Sequence, residues 1–215
     1  MKFIFFDAIV DGEERVEDAH LCQLSYIITD NSLQVETTKN FYFRVEQMTK
    51  ESVYESEMIP FTFKTLSKNR KFKEFAQEIF EDFKSAEVFV THDAWYVPSV
   101  LEMEMHRVGI HERLFGCGQL ESTMRIFRNT IQYQTETTYG TYEFASLDDI
   151  AWQLNLDKKY LLKKEHEYFG QTSNRTTATA TYQATQVFEV YSNYVFDYIK
   201  TRRPYTEYMV LKNDK

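Results

Sequence analysis

Residues 3–6, Phe-Ile-Phe-Phe, form a short run of apolar positions that ends on Asp7. A run without polar alternation suits a strand covered on both faces. Residues 21–29 and 34–45 read as two further strands with Asp30-Asn-Ser32 as the turn between them, so the chain opens as an antiparallel meander. From 48 to 66 the pattern breaks up, and a loop with a short helix is expected there. Phe72, Phe75, Ala76, Ile79, Phe80 and Phe83 then recur at helical spacing, the stripe of a helix packed on a core. Residues 87–91 predict a strand, and Pro98 marks the first turn of a helix running to about Arg107.

Residues 121–127 predict a short strand or turn leading into a helix. After a polar stretch at 129–142, Ser146 can cap a helix that buries Leu147, Ile150, Ala151 and Leu154, with Asp149 placed as in a capping box. Ala180, Ala184, Val187, Phe188, Tyr191, Val195 and Tyr198 trace a last long helix to about residue 200. Alternating strands and helices after the meander imply a strand parallel to the first. The fold class expected is α/β, with a mixed five-stranded sheet flanked by helices. One domain over residues 1–200 and a surface tail over 201–215, carrying Arg202-Arg-Pro204, complete the organisation expected.

Composition adds that the core is aromatic: 18 Phe and 15 Tyr against 6 Gly and 3 Pro leave large rings to pack and few tight turns. Cys22 and Cys117 are too few for a disulfide framework, which points to a reducing compartment. No apolar segment is long enough to span a bilayer and the N-terminus lacks a signal-peptide pattern, so a cytoplasmic protein with no membrane partner is expected. A net charge of −8 disfavours passive binding to nucleic acid unless cations cluster. Two clusters occur, at 64–73 and at 158–164, the latter holding Lys158, Lys159, Lys163 and Lys164. The plain reading of each is solvated surface; the other is contact with a phosphate backbone.

The motifs give a more specific picture. Phe6-Asp7-Ala-Ile9-Val-Asp11-Gly12, His92-Asp93-Ala94-Trp95-Tyr96-Val97, the segment from Tyr139-Gly140 to Leu147, and Asn174 followed by Thr179 come in this order. Together they resemble the DnaQ-like (DEDDh-class) 3′–5′ exonuclease family of ribonuclease H-like fold, over roughly residues 2–200. In that family the first strand carries Phe-Asp-x-Glu-Thr-x-Gly, the second motif is His-Asn-Ala-x-Phe-Asp, and the third is His-x-Ala-x-x-Asp at the start of the last long helix. Glu121-Ser-Thr-Met resembles a further Asp-Thr segment. The resemblance implies catalytic positions at Asp7, Ile9, Val97, Asn174 and Thr179, of which only Asp7 carries the family's residue.

Two-metal nucleases hold paired ions roughly 3.5–4 Å apart with several converging carboxylates, which repel one another by about 4 kcal/mol at 4 Å when no metal is present. Ile9 and Val97 offer no ligand atom, Thr179 only a neutral hydroxyl, and Asn174 cannot serve as a base near neutral pH. Asp7 is left as a vestigial or weak metal ligand. Asp11 and Asp93 could lean in, but Asp11 is expected in the turn and Asp93 in the family's asparagine slot. His166, beside Glu165 and Glu167, reads as a surface residue, and His92 as a structural histidine at a strand end.

The reading that follows is a catalytically inactive or severely impaired member of the family, serving as a binding module for nucleic acid or a protein, with no cofactor. His92, Trp95 and the four lysines of 158–164 are its candidate nucleic-acid contacts. The alternative is an active 3′–5′ exonuclease on single-stranded DNA or RNA, using Mg or Mn at an altered site. Pairing as a homodimer is a further expectation.

Overall fold

The computed structural model describes residues 1–11, 15–45, 60–116, 118–127, 145–173 and 179–201, with side chains as far as Phe196. The expectations for most of 48–66, for 129–142, for Gly12, Cys117, Tyr139, Gly140, Asn174, and for the tail beyond Thr201 therefore lie outside the described residues. Five strands, β1 (Phe3–Asp11), β2 (His20–Thr29), β3 (Val35–Tyr42), β4 (Val88–Thr91) and β5 (Gln119–Ser122), form one sheet in the order β3-β2-β1-β4-β5. The first three are antiparallel neighbours, while β4 lies parallel to β1 and β5 parallel to β4. This is the mixed α/β sheet of the ribonuclease H-like layout that the sequence predicts.

Side chains of β1 alternate between two cores. Phe3 and Phe5 face one side with Ile27, Val88 and Val90. Ile4, Phe6 and Ala8 face the other with Leu24, Tyr26 and Phe89. Helix α1 (Phe63–Leu66) packs Leu66 with Ile9 and Cys22, while the second core is covered by a 3-10 turn at Phe72–Glu74, α2 (Ala76–Lys84) and α3 (Tyr96–Arg107), which supply Phe72, Ile79, Phe83, Val100 and Leu101. The sequence stripe from Phe72 to Phe83 is thus divided: Phe72 sits in the 3-10 turn and α2 begins at Ala76, with Phe75 at the junction.

The first core is covered by α4 (Thr123–Ile126), α5 (Leu147–Gln153), α6 (Lys158–Phe169) and α7 (Ala180–Thr201). Phe188 and Tyr191 of α7 meet the Phe5 ring edge-on at centroid distances of 4.9 and 5.4 Å. Ser146 caps α5 as predicted, its Oγ accepting from Asp149 N–H at 3.2 Å; the return contact joins the hydroxyl to the Asp149 carboxylate.

One sequence expectation is corrected, one helix start moves by two residues and one helix is new. β1 does not stop at Phe6 but continues to Asp11, so Asp7 lies inside the strand rather than at its end, and Asp11 pairs with His20 rather than lying in the turn. Helix α3 begins at Tyr96, with Pro98 inside its first turn, because Asp93 Oδ1 accepts from the N–H groups of Trp95 (2.7 Å) and Tyr96 (3.1 Å) and starts the turn earlier. Helix α6 was not predicted. It is capped by the Asp157 side chain, which accepts from Tyr160 N–H, and closed by Gly170 in the left-handed region at φ 66°.

Candidate nucleic-acid and metal site

Strand β4 pairs with β1 only over Phe3, Ile4 and Phe5. Beyond Phe5 the two parallel strands part, and the crevice at their carboxyl ends is where open α/β sheets bind ligands. Asp7 sits on the β1 side of this crevice. His92 and Asp93 follow the end of β4. Asp7 is placed by its pairing with Ser25 of β2, whereas His92 and Asp93 lie in the turn between β4 and α3.

Asp7 is only 8% exposed. Its Oδ1 accepts from Ala8 N–H at 2.7 Å. Burial is the main influence on its carboxyl group, which is pushed up to about 7; the Ala8 bond opposes this and the Asp93 charge adds to it. Asp7 is therefore half-protonated near neutrality, and Asp93 is close enough to be felt electrostatically. His92 is shifted the other way: burial lowers its pKa, with Asp93 opposing. Its Nδ1 lies 2.9 Å from Thr123 Oγ1, and its carbonyl accepts from Ser122 Oγ at 2.8 Å. These bonds join the end of β4 to β5 and α4, which fits a structural histidine.

Ile9 faces the same side as Asp7 and packs with Cys22, Val45, Leu66 and Ala180. Here the ladder shifts, since Ile9 pairs with Gln23 and Val10 with Leu21, leaving Cys22 as the extra residue of a bulge. Burial pushes the Cys22 thiol far up, so it is not a nucleophile. Gln23 is fully buried, and its Oε1 accepts from Ala180 N–H at 2.9 Å. That bond pins the start of α7 to β2 and brings Ala180, which follows Thr179, beside Ile9. Val97 does not join this group. It is buried on the α3 side with Phe6, Ala8, Val100 and Leu101.

The Thr179 hydroxyl is already engaged. It lies 2.5 Å from Ser173 Oγ, 2.7 Å from Thr181 Oγ1 and 3.1 Å from Glu165 Oε1. Glu165 is fully buried on α6. Its Oε1 also accepts from Ser173 Oγ and Thr181 Oγ1, each at 2.6 Å, and its Oε2 accepts from Ser173 N–H at 2.6 Å. In the sequence Glu165 stands out only as a neighbour of His166, which the structure leaves exposed. The spacing Leu161–Glu165, one helical turn, was the available signal that Glu165 faces inward.

The remaining candidates are dispersed. Trp95 is 63% exposed at the crevice end of α3. Lys158, Lys159 and Lys163 are exposed on α6, and Lys164 is half-buried. Lys164 pairs with Glu167 at 2.8 Å and Lys163 with the same carboxylate at 3.7 Å, so two of these charges are partly neutralised. Among the described residues, no group of three or more His, Cys, Asp or Glu side chains is placed to hold a metal ion. Among the described residues, Asp93 is the carboxylate whose charge acts on Asp7.

No protein-family model and no curated protein matches the sequence. Solved structures do match in fold. Exonuclease I of E. coli in complex with a dT13 oligonucleotide superposes with a TM-score of 0.63 at 13% identity, over 98% of this chain and 45% of that one. Exonuclease I from Methylocaldum szegediense gives a TM-score of 0.58 at 13% identity, over 89% and 40%. A complex of SSB and exonuclease I with the inhibitor CFAM gives 0.56 at 14%, over 93% and 44%. The chain thus spans less than half the length of these structures, and at such identity the likeness establishes the fold: a five-stranded, ribonuclease H-like sheet with exonuclease structural neighbours.

Proposed function

We propose that this chain is an exonuclease-like module that binds single-stranded nucleic acid without hydrolysing it, its metal site having been replaced by packing. The observation that carries the reading is the use made of the described family positions. Ile9 and Val97 are committed to apolar cores, Thr179 to the Glu165 network, and Asp7 is buried with its carboxyl raised to about 7. A site that holds two divalent ions needs several ionised oxygens converging on one point, and these side chains supply a single carboxyl group, that of Asp7. E. coli exonuclease I, solved with dT13 and dA13 oligonucleotides, supports single-stranded DNA as the ligand, with Trp95 as a stacking platform and Lys158, Lys159, Lys163 and Lys164 as backbone contacts. The complex of SSB and exonuclease I supports a protein partner as the other class of ligand.

One observation favours a second reading. The Asp93 charge acts on Asp7 across the crevice, and such a pair could hold one hydrated magnesium or manganese ion in a residual exonuclease. Labelled dT13 incubated with the protein and manganese separates the two. Binding without shortening, weakening steeply as salt is raised, is the expected result. Shortening from the 3′ end that is abolished by Asp7→Ala would overturn the leading reading in favour of the second.

A further inference from the structure

The basic segment at 64–73 is divided: Leu66 packs with Ile9 on the Asp7 side, and the end of the segment, at Lys71 and Lys73, has a different setting. The chain leaving β3 is held to it by Arg44 N–H, which donates to the Arg70 carbonyl at 2.9 Å. Lys71 and Lys73 flank Phe72 on the 3-10 turn and so stand beside Arg44. Between them and the start of β2 lies an open cavity of about 160 Å³, lined by His20, Arg44, Lys71 and Lys73 and floored by Phe43 and Phe72. The floor is rigid, since both rings are buried and meet edge-on at 5.2 Å. Phe43 and Phe72 belong to the α2 and α3 side of the sheet, opposite the side that Asp7 and Ile9 face.

The charge balance around this cavity is reversed relative to a chain of net charge −8. Among the described residues that line it, the one carboxylate, Glu104, is already bound, with Oε1 at 2.8 Å from both His20 Nδ1 and Arg107 Nη1. Arg107 also donates to the carbonyls of Ala19 and Glu17, which fixes the His20–Glu104–Arg107 group as part of the wall. Three further cations, Arg44, Lys71 and Lys73, then line the same space. An apolar floor with a few convergent charged groups is the usual construction of a small-ligand pocket, and a guanidinium with two ammonium groups selects a compact multivalent anion.

We infer that the cavity between His20, Arg44, Lys71 and Lys73 is a binding site for a phosphoryl group, carried by a nucleotide or present as free phosphate. The site is independent of what the Asp7 crevice does. Purified protein is titrated with thymidine 5′-monophosphate, inorganic phosphate and thymidine at matched ionic strength, reading affinity by calorimetry and Tm. The two phosphates raise Tm and thymidine does not. Arg44→Gln combined with Lys73→Gln weakens phosphate binding by about tenfold or more, as expected when charge-assisted bonds to an anion are lost. Lys2→Gln combined with Lys84→Gln, which removes two exposed charges elsewhere, leaves it unchanged. Tighter binding of the nucleotide than of phosphate identifies a nucleotide as the occupant, using the Phe43–Phe72 floor; equal binding identifies free phosphate. No rise in Tm with either phosphate, or equal weakening in both double variants, overturns the inference.

Discussion

At the scale of single residues, Asp7 is the position whose chemistry departs most from its surface behaviour. A buried carboxylate left ionised would cost several kcal/mol, and the group responds by holding its proton. The folded state binds that proton more tightly than the unfolded chain, whose carboxyl titrates near the ordinary 3.8. The contribution of Asp7 to stability is therefore fully present below about pH 4 and is lost as pH rises through about 7. Asp7→Asn keeps an oxygen for Ala8 N–H and removes the titration. The variant is expected to exceed the native protein in stability by on the order of 3 kcal/mol at pH 8 and to match it near pH 4, measured by urea denaturation. Equal stability at pH 8 would mean that Asp7 is solvated. The sequence located Asp7 but took it for a strand end, because a charged residue is costly inside a strand. The apolar residues Ala8, Ile9 and Val10 beyond it were the sign that the strand continues.

At the scale of elements, α6 and the start of α7 are held by the Glu165 network. Removing the carboxyl in Glu165→Ala leaves Ser173, Thr179 and Thr181 with unsatisfied donors in a buried site. A loss of about 2–4 kcal/mol is expected, with faster hydrogen exchange at Thr181 and its neighbours in the first turn of α7. A loss below about 0.5 kcal/mol, in the range of an ordinary surface substitution, would contradict the network's role. This helix was hidden in the sequence for a physical reason. Its inward face carries Leu161 and the polar Glu165 as its fully buried residues, while four lysines dominate the rest, so the apolar period was too thin to detect. By contrast α2 and α7 were legible because each buries a continuous stripe of large side chains. Gln23 and Cys22 gave no advance signal, since neither the bulge nor the bond to Ala180 has a sequence signature.

For the whole molecule, the antiparallel meander and the parallel pairing of a later strand with the first followed from the order of strands and helices, and the structure agrees. The motif positions were legible only through resemblance, and the structure divides them: Asp7, Ile9 and Thr179 share one side of the sheet, while Val97 belongs to the other core. Restoring the family's residues on the Asp7 side tests whether they still face a common point. The combined variant Ile9→Glu and Thr179→Asp is expected to gain a rise in Tm with manganese that the native protein lacks, because ligands stabilise the state that binds them. A variant that folds and gives no rise would show that these two positions and Asp7 do not converge.

The central claim is that a nuclease-like fold has given its metal site over to packing, and a crystal of the native protein soaked in manganese tests it most directly. The account predicts no anomalous peak within coordination distance of Asp7. Two peaks separated by roughly 3.5–4 Å beside Asp7 and Asp93 would contradict it, because that spacing is the signature of a working two-metal site.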